Sequence, residues 1–178
     1  MPAAEAVDPA DAAVELAAYV REAGTLALSM FKSQIKTWTK AGSSPVSEAD
    51  IAVDRLLRER LTSRNPGFGW LSEEGIDDDA RLSARFVWIV DPIDGTRAYL
   101  AGLPDWAISV ALVETGRPIA ACLYAPVTEE FFIASAHNGA TRNGVAVAAT
   151  PGASLTDTRI AGPLKTGPLW VWPLRLRG

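Results

Sequence analysis

Nine consecutive residues, Trp88-Ile89-Val90-Asp91-Pro92-Ile93-Asp94-Gly95-Thr96, concentrate the reactive groups of this chain. An apolar run from Phe86 to Val90 delivers two carboxylates, three residues apart, onto a tight Pro/Gly turn. Stripping water from a carboxylate without giving it a partner is costly, so charges at the end of a buried strand need a ligand or a donor. Asp91, Asp94 and freed backbone carbonyls make an all-oxygen set that suits a hard cation. Gly95 lets a bulky anion approach the backbone, and Thr96 adds a hydroxyl. The competing reading is a capped turn whose aspartates bond nearby amides. Two carboxylates followed at once by Gly-Thr favour metal and phosphate.

Two further acidic stations lie upstream. Ser47-Glu48-Ala49-Asp50 has the form of a capping box, so Asp50 is either the acid of that box or a site residue, and the sequence leaves both open. Glu73-Glu74 follows Ser72 at the end of a short apolar stretch, and adjacent acids of this kind are commonly solvated.

Stepping outward, Asp8-Pro9 opens a helix, with Asp as cap and Pro in the first turn. Ala13, Leu16, Ala17, Val20, Gly24, Ala27, Leu28 and Phe31 recur at helical spacing on one face. Lys40 to Pro45 is a polar, flexible connection. A second helix then starts at Ser47, turns Val53, Leu56, Leu57 and Leu61 inward and stops at Asn65-Pro66-Gly67. Trp70-Leu71 forms a short strand, and Asp77 to Asp79 a solvated acidic loop. Beyond the Asp-rich turn the pattern is β. Trp106–Val113 and Pro118–Tyr124 form a hairpin around Glu114-Thr115-Gly116-Arg117, and Phe131–Ala134 and Val145–Ala148 continue it through turns at Ala125-Pro126 and Asn143-Gly144. Two N-terminal helices packed on a mostly antiparallel sheet make an α+β fold. The expected domain runs over 1–162. Residues 163–178, with three prolines, two tryptophans, three basic residues and no acid, read as an irregular tail.

At 178 residues the chain can bury one sizeable core. Its net charge of −4 offers no basic footprint for a nucleic-acid polymer, and an acidic protein acting on an anion needs cations between the two. A single cysteine, Cys122, excludes an internal disulfide and a zinc–thiolate cluster and is expected in the core. Glu5, Asp8 and Asp11 stand where a secretory leader carries positive charge, and no apolar run reaches spanning length. The expectation is a cytoplasmic protein with no membrane partner. His137 is expected in a surface turn, while Trp70, Trp88 and Trp106 pack the sheet.

Pro45-Val46-Ser47-Glu48-Ala49-Asp50, Ser72-Glu73-Glu74 and the nine-residue segment together resemble the inositol monophosphatase superfamily. The likeness runs from Asp8 to Gly162 and includes Asn138-Gly139-Ala140 and Arg142-Asn143-Gly144. The resemblance implies a sugar-phosphatase-type N-terminal lobe and Mg²⁺-dependent hydrolysis of a small phosphate monoester, an inositol monophosphate or a 3′(2′),5′-bisphosphate nucleotide. It implies Glu73, Asp91, Asp94 and the Ile93 carbonyl as Mg²⁺ ligands. Gly95 and Thr96 would then bind phosphate, while Asp50 and the Thr96 hydroxyl orient the attacking water. Mg²⁺ favours such oxygen ligands, and two ions about 3.5–4 Å apart activate water and stabilise the leaving oxygen. Members continue into a second lobe whose Trp-Asp motif supplies another ligand. Here the only Asp after Asp105 is Asp157, and no Trp-Asp pair follows. The expectation is thus the first lobe without the second. With it goes an alternative, a truncated or degenerate member that binds metal or phosphate with little turnover. A sheet left bare is expected to dimerise.

Overall fold

The computed structural model describes residues 6–40, 45–75, 78–149 and 151. Helix α1 spans Pro9–Met30 and begins where Asp8 Oδ1 accepts from the amides of Ala10 and Asp11, at 2.7 and 3.3 Å. Helix α2 spans Glu48–Arg64 and starts from the capping box of Ser47 and Asp50. Seven strands form the main sheet in the order β3 (Gly69–Ser72), β4 (Phe86–Asp94), β5 (Ala107–Glu114), β6 (Arg117–Ala125), β7 (Glu130–Ser135), β8 (Gly139–Arg142) and β9 (Val145–Val147). Only the β3–β4 pair is parallel. The α+β expectation of two helices on a mostly antiparallel sheet holds.

Both helices cover one face of that sheet. Leu16, Val20, Ala23 and Ala27 of α1 and Val53, Leu57 and Leu61 of α2 are buried against Trp88, Val90, Ile108, Val110, Leu112 and Cys122. Alternation explains the split: Phe86, Trp88 and Val90 of β4 point into this core, while Ile89 between them is 41% exposed. Gly24 lets α1 approach β6, since a Cβ there would stand 2.3 Å from the Tyr124 ring. Burial pushes the Cys122 thiol up to about 12, as befits a core residue. Trp88 and Trp106 are buried in the sheet, and His137 lies exposed in a turn.

Several local expectations change. The polar connection after Lys40 is bracketed by a two-stranded antiparallel ribbon, β1 (Thr37–Thr39) with β2 (Pro45–Ser47), in which Trp38 faces Val46. Its apolar content was too short to show a period. Of the acidic loop expected over Asp77 to Asp79, Asp77 lies outside the described residues, while Asp78 and Asp79 are exposed and Asp78 caps a 3₁₀ turn over Asp79–Ser83, its carboxylate accepting from the Ala80 amide at 2.9 Å. Gly139–Arg142 is a strand, closed onto β9 by Asn143 and Gly144 at positive φ (49° and 80°). Described residues up to Ala148 form one compact unit. The expected boundary at 162 and the tail 163–178 lie outside the described residues.

Candidate active site

The Asp-rich segment is a strand end with a bulge in place of the expected tight turn. Asp91 pairs with Ser109 and Asp94 with Ala107, so three steps on β4 match two on β5. The extra residue falls at Pro92-Ile93, where proline cannot donate to the ladder anyway. Strict alternation would put residues three apart on opposite faces; the bulge returns Asp94 to the side of Asp91 and buries Ile93. Gly95 follows at φ 94°, where a Cβ would sit 2.6 Å from the Asp105 carbonyl oxygen. It opens a short helix, α3 (Thr96–Leu100), absent from the sequence expectation.

These devices line a shallow cleft of about 260 Å³ with Pro45, Glu73, Asp91, Ile93, Asp94, Gly95, Thr96 and Arg97. Glu73 enters because its amide bonds the Val90 carbonyl at 3.2 Å, holding the end of β3 beside β4. Asp91 carries the clearest electrostatic signature. Burial, then the Glu73 and Asp94 carboxylates, a hydrogen bond with the Glu73 side chain and finally Asp50 raise its carboxyl to about 7. A proton held between crowded carboxylates stands where a hard cation would be welcome, and the donors are oxygens throughout, so their chemistry fits Mg²⁺. Among the described residues, no three acidic, imidazole or thiol side chains are close enough to hold an ion by themselves.

Asp50 on α2 is the acid of the capping box, and it also touches Thr96 in the wall of the cleft. Its Oδ2 accepts from the Ser47 amide at 2.8 Å and the Ser47 hydroxyl at 2.5 Å, closing the capping box. Its Oδ1 lies 3.1 Å from the Thr96 hydroxyl, whose other acceptor is the Ile93 carbonyl at 3.0 Å. The carboxylate is only 1% exposed.

Sequence reasoning gave no role at the site to three residues found there, Lys40, Glu74 and Arg97. Glu74, read there as half of a solvated pair, is buried to 3% and ion-paired with Lys40 at 2.6 Å. Lys40 Nζ also donates to the Glu73 carbonyl at 2.6 Å, tying the ribbon to the β3 end. No periodicity marks either residue. Arg97, passed over inside the motif, lines the cleft as well. A larger hollow of about 540 Å³ lies at the far end of β4 beside Phe68, Arg85 and Phe86. It has no acidic lining residue, and its arginines are paired, Arg64 with Glu15 and Arg85 with Glu114.

The fold is similar to that of a solved IMPase/NADP phosphatase complexed with Mg²⁺ and phosphate. That likeness has a TM-score of 0.71 at 21% identity and covers 78% of this chain and 52% of that one. The pattern of the inositol monophosphatase family matches residues 7–165, and the chain belongs to that family. It is 39% identical over 104 residues to an inositol-1-monophosphatase of Rhizobium meliloti, covering 58% of this chain and 39% of that protein. It is equally 39% identical over 102 residues to a histidinol-phosphatase of Mycobacterium tuberculosis, covering 57% and 38%. The matched stretch therefore spans well under two thirds of each relative. Among the described residues no helix is long and apolar enough to cross a membrane.

Proposed function

We propose that this chain forms the metal- and phosphate-binding lobe of a Mg²⁺-dependent phosphomonoesterase, acting on an inositol monophosphate or a 3′(2′),5′-bisphosphate nucleotide in the cytoplasm. The observation that carries the reading is the Asp50–Thr96 hydrogen bond, which joins the start of α2 to the cleft of Glu73, Asp91 and Asp94. Family membership, and the Mg²⁺ and phosphate held by a relative of the same fold, support it.

In this reading Glu73, Asp91, Asp94 and the Ile93 carbonyl hold Mg²⁺, which supplies charge neutralisation and a more acidic water. Phosphate would lie against the backbone amides of Gly95 and Thr96, at a left-handed turn (φ 94°) that glycine adopts without strain. The Thr96 hydroxyl donates to Asp50 Oδ1, which leaves its lone pairs to accept a hydrogen bond from a water; as the water gives its proton to the Thr96 oxygen, the Thr96 hydroxyl proton passes to Asp50 Oδ1. Asp50 is held by Ser47, so the acceptor of that short relay does not wander.

The test is Mg²⁺-dependent phosphate release by the wild type, Asp50→Asn and Asp94→Asn. Asp50 is the third residue of the box rather than its cap, and an Asn side-chain oxygen can still accept from the Ser47 amide, so Asp50→Asn should keep the fold, which a thermal melt checks. It should nonetheless lower turnover by about 10²-fold or more, the usual loss for a general base. Undiminished turnover would return Asp50 to a purely capping role. The alternative reading is a chain that binds metal and phosphate with little turnover. Mg²⁺ binding by calorimetry without phosphate release would establish it.

A further inference from the structure

Arg97 is the first residue after Thr96, exposed on α3, and it is one of the residues that line the cleft. Among the described residues it makes no hydrogen bond or ion pair, although Glu73, Asp91 and Asp94 line the same cleft. Arg60, Arg64, Arg85 and Arg142 are ion-paired, whereas among the described residues Arg21, Arg55, Arg58 and Arg117 are not, so it is its place on the cleft that sets Arg97 apart. The free head rides on a fixed base. Gly95 is wedged against the Asp105 carbonyl, the Tyr99 hydroxyl donates to the Ala27 carbonyl at 2.8 Å, and the Tyr99 ring packs on Phe31 and Trp106.

We infer that Arg97 reads a second anionic group of the substrate, so that the cleft prefers phosphate monoesters bearing another phosphate or carboxylate over those whose remainder is neutral or cationic. The inference rests on the phosphatase reading and narrows it. The carboxylates of the cleft serve the cation in that reading, which leaves one guanidinium just beyond the phosphate position with nothing to bind. A guanidinium fork matches phosphate or carboxylate bidentately, and such charge-assisted bonds are strong and directional. A neutral remainder leaves Arg97 unused, and an ammonium-bearing one meets like charge. Identity cannot make this choice, because relatives named for inositol-1-phosphate and histidinol phosphate stand equally near, at 39%.

The experiment is calorimetric titration of the 178-residue chain, with Ca²⁺ replacing Mg²⁺ to keep the oxygen-ligand chemistry while slowing turnover. The probes are adenosine 3′,5′-bisphosphate and adenosine 5′-monophosphate, against wild type, Arg97→Ala and Arg97→Lys, with thermal melts as a check on folding. The wild type should bind the bisphosphate about tenfold more tightly or better. Arg97→Ala should bring that ratio toward one, and Arg97→Lys should fall between, having charge without the fork. A ratio preserved in Arg97→Ala overturns the inference, since Arg97 is then a solvated helix side chain. Equal weakening of both probes also overturns it, by placing Arg97 on the phosphate they share. Wild type lacking any preference does the same while leaving the phosphatase reading standing. Wild type binding neither probe removes that reading and this inference together.

Discussion

At Asp91 a proton and a cation compete for one place. Burial first, then Glu73, Asp94 and Asp50, lift its carboxyl from the ordinary 3.8 to about 7. The unfolded chain releases that proton near pH 4, whereas the folded chain keeps it until about pH 7. The stabilisation it gives is therefore fully present below pH 4 and is lost as pH rises through 7. Melting temperatures in a chelator should fall between pH 5 and 8 more steeply for the wild type than for Asp91→Asn. Mg²⁺ must displace the same proton, so added Mg²⁺ should raise the wild-type melting temperature more at pH 8 than at pH 6. Parallel pH profiles for the two proteins would show that Asp91 does not titrate within this cluster. At the same scale, Glu74 has one buried oxygen, Oε2, with no partner among the described residues, and its other oxygen depends on Lys40.

The elements place these residues by three local devices: a bulge in β4, a wedged Gly95 and a lysine clamp. The clamp joins the β1–β2 ribbon to the end of β3, through Lys40 to Glu74 and to the Glu73 carbonyl. Removing one partner of a buried pair leaves an uncompensated charge, though Lys40 at 28% exposure keeps some water. Lys40→Met should therefore cost about 1–3 kcal/mol by chemical denaturation, less than a fully buried pair would. A change below about 0.5 kcal/mol would mean that the clamp is ornamental. Helix α1 offers an independent test of packing. In an exposed helix Gly→Ala gains about 1 kcal/mol of propensity. At Gly24 the new methyl meets the Tyr124 ring at 2.3 Å and the Pro126 ring at 3.3 Å. Gly24→Ala should thus destabilise by about 1–3 kcal/mol, the reverse of the propensity expectation.

For the whole molecule, the sheet face away from α1 and α2 carries Ile89 at 41% exposure, and β9 offers a further edge with Val145 and Val147 at 69% and 41%. Apolar patches and unpaired ladder groups favour association, so light scattering should show a rise in mass with concentration that Ile89→Lys reduces. A strict monomer at all concentrations would count against self-association. What the sequence determined by itself was local and periodic: the cap at Asp8, the box at Ser47 and Asp50, the helical stripe through Leu16 and Val20, and the hairpin at Thr115-Gly116. Each depends on neighbours a few residues away, and so did the motif that carried the family. What only the tertiary structure decided concerns distance in space. Asp50 meets Thr96 across 46 residues, Lys40 meets Glu73 across 33, and the bulge turns Asp91 and Asp94 to one side. Ribbon, clamp and bulge leave no period in the chain, because they arise when β3, β4 and the start of α2 are packed side by side. A carboxylate such as Glu74 looks solvated beside its twin in the sequence; in the fold its side chain is covered and paired with a lysine brought in from the ribbon.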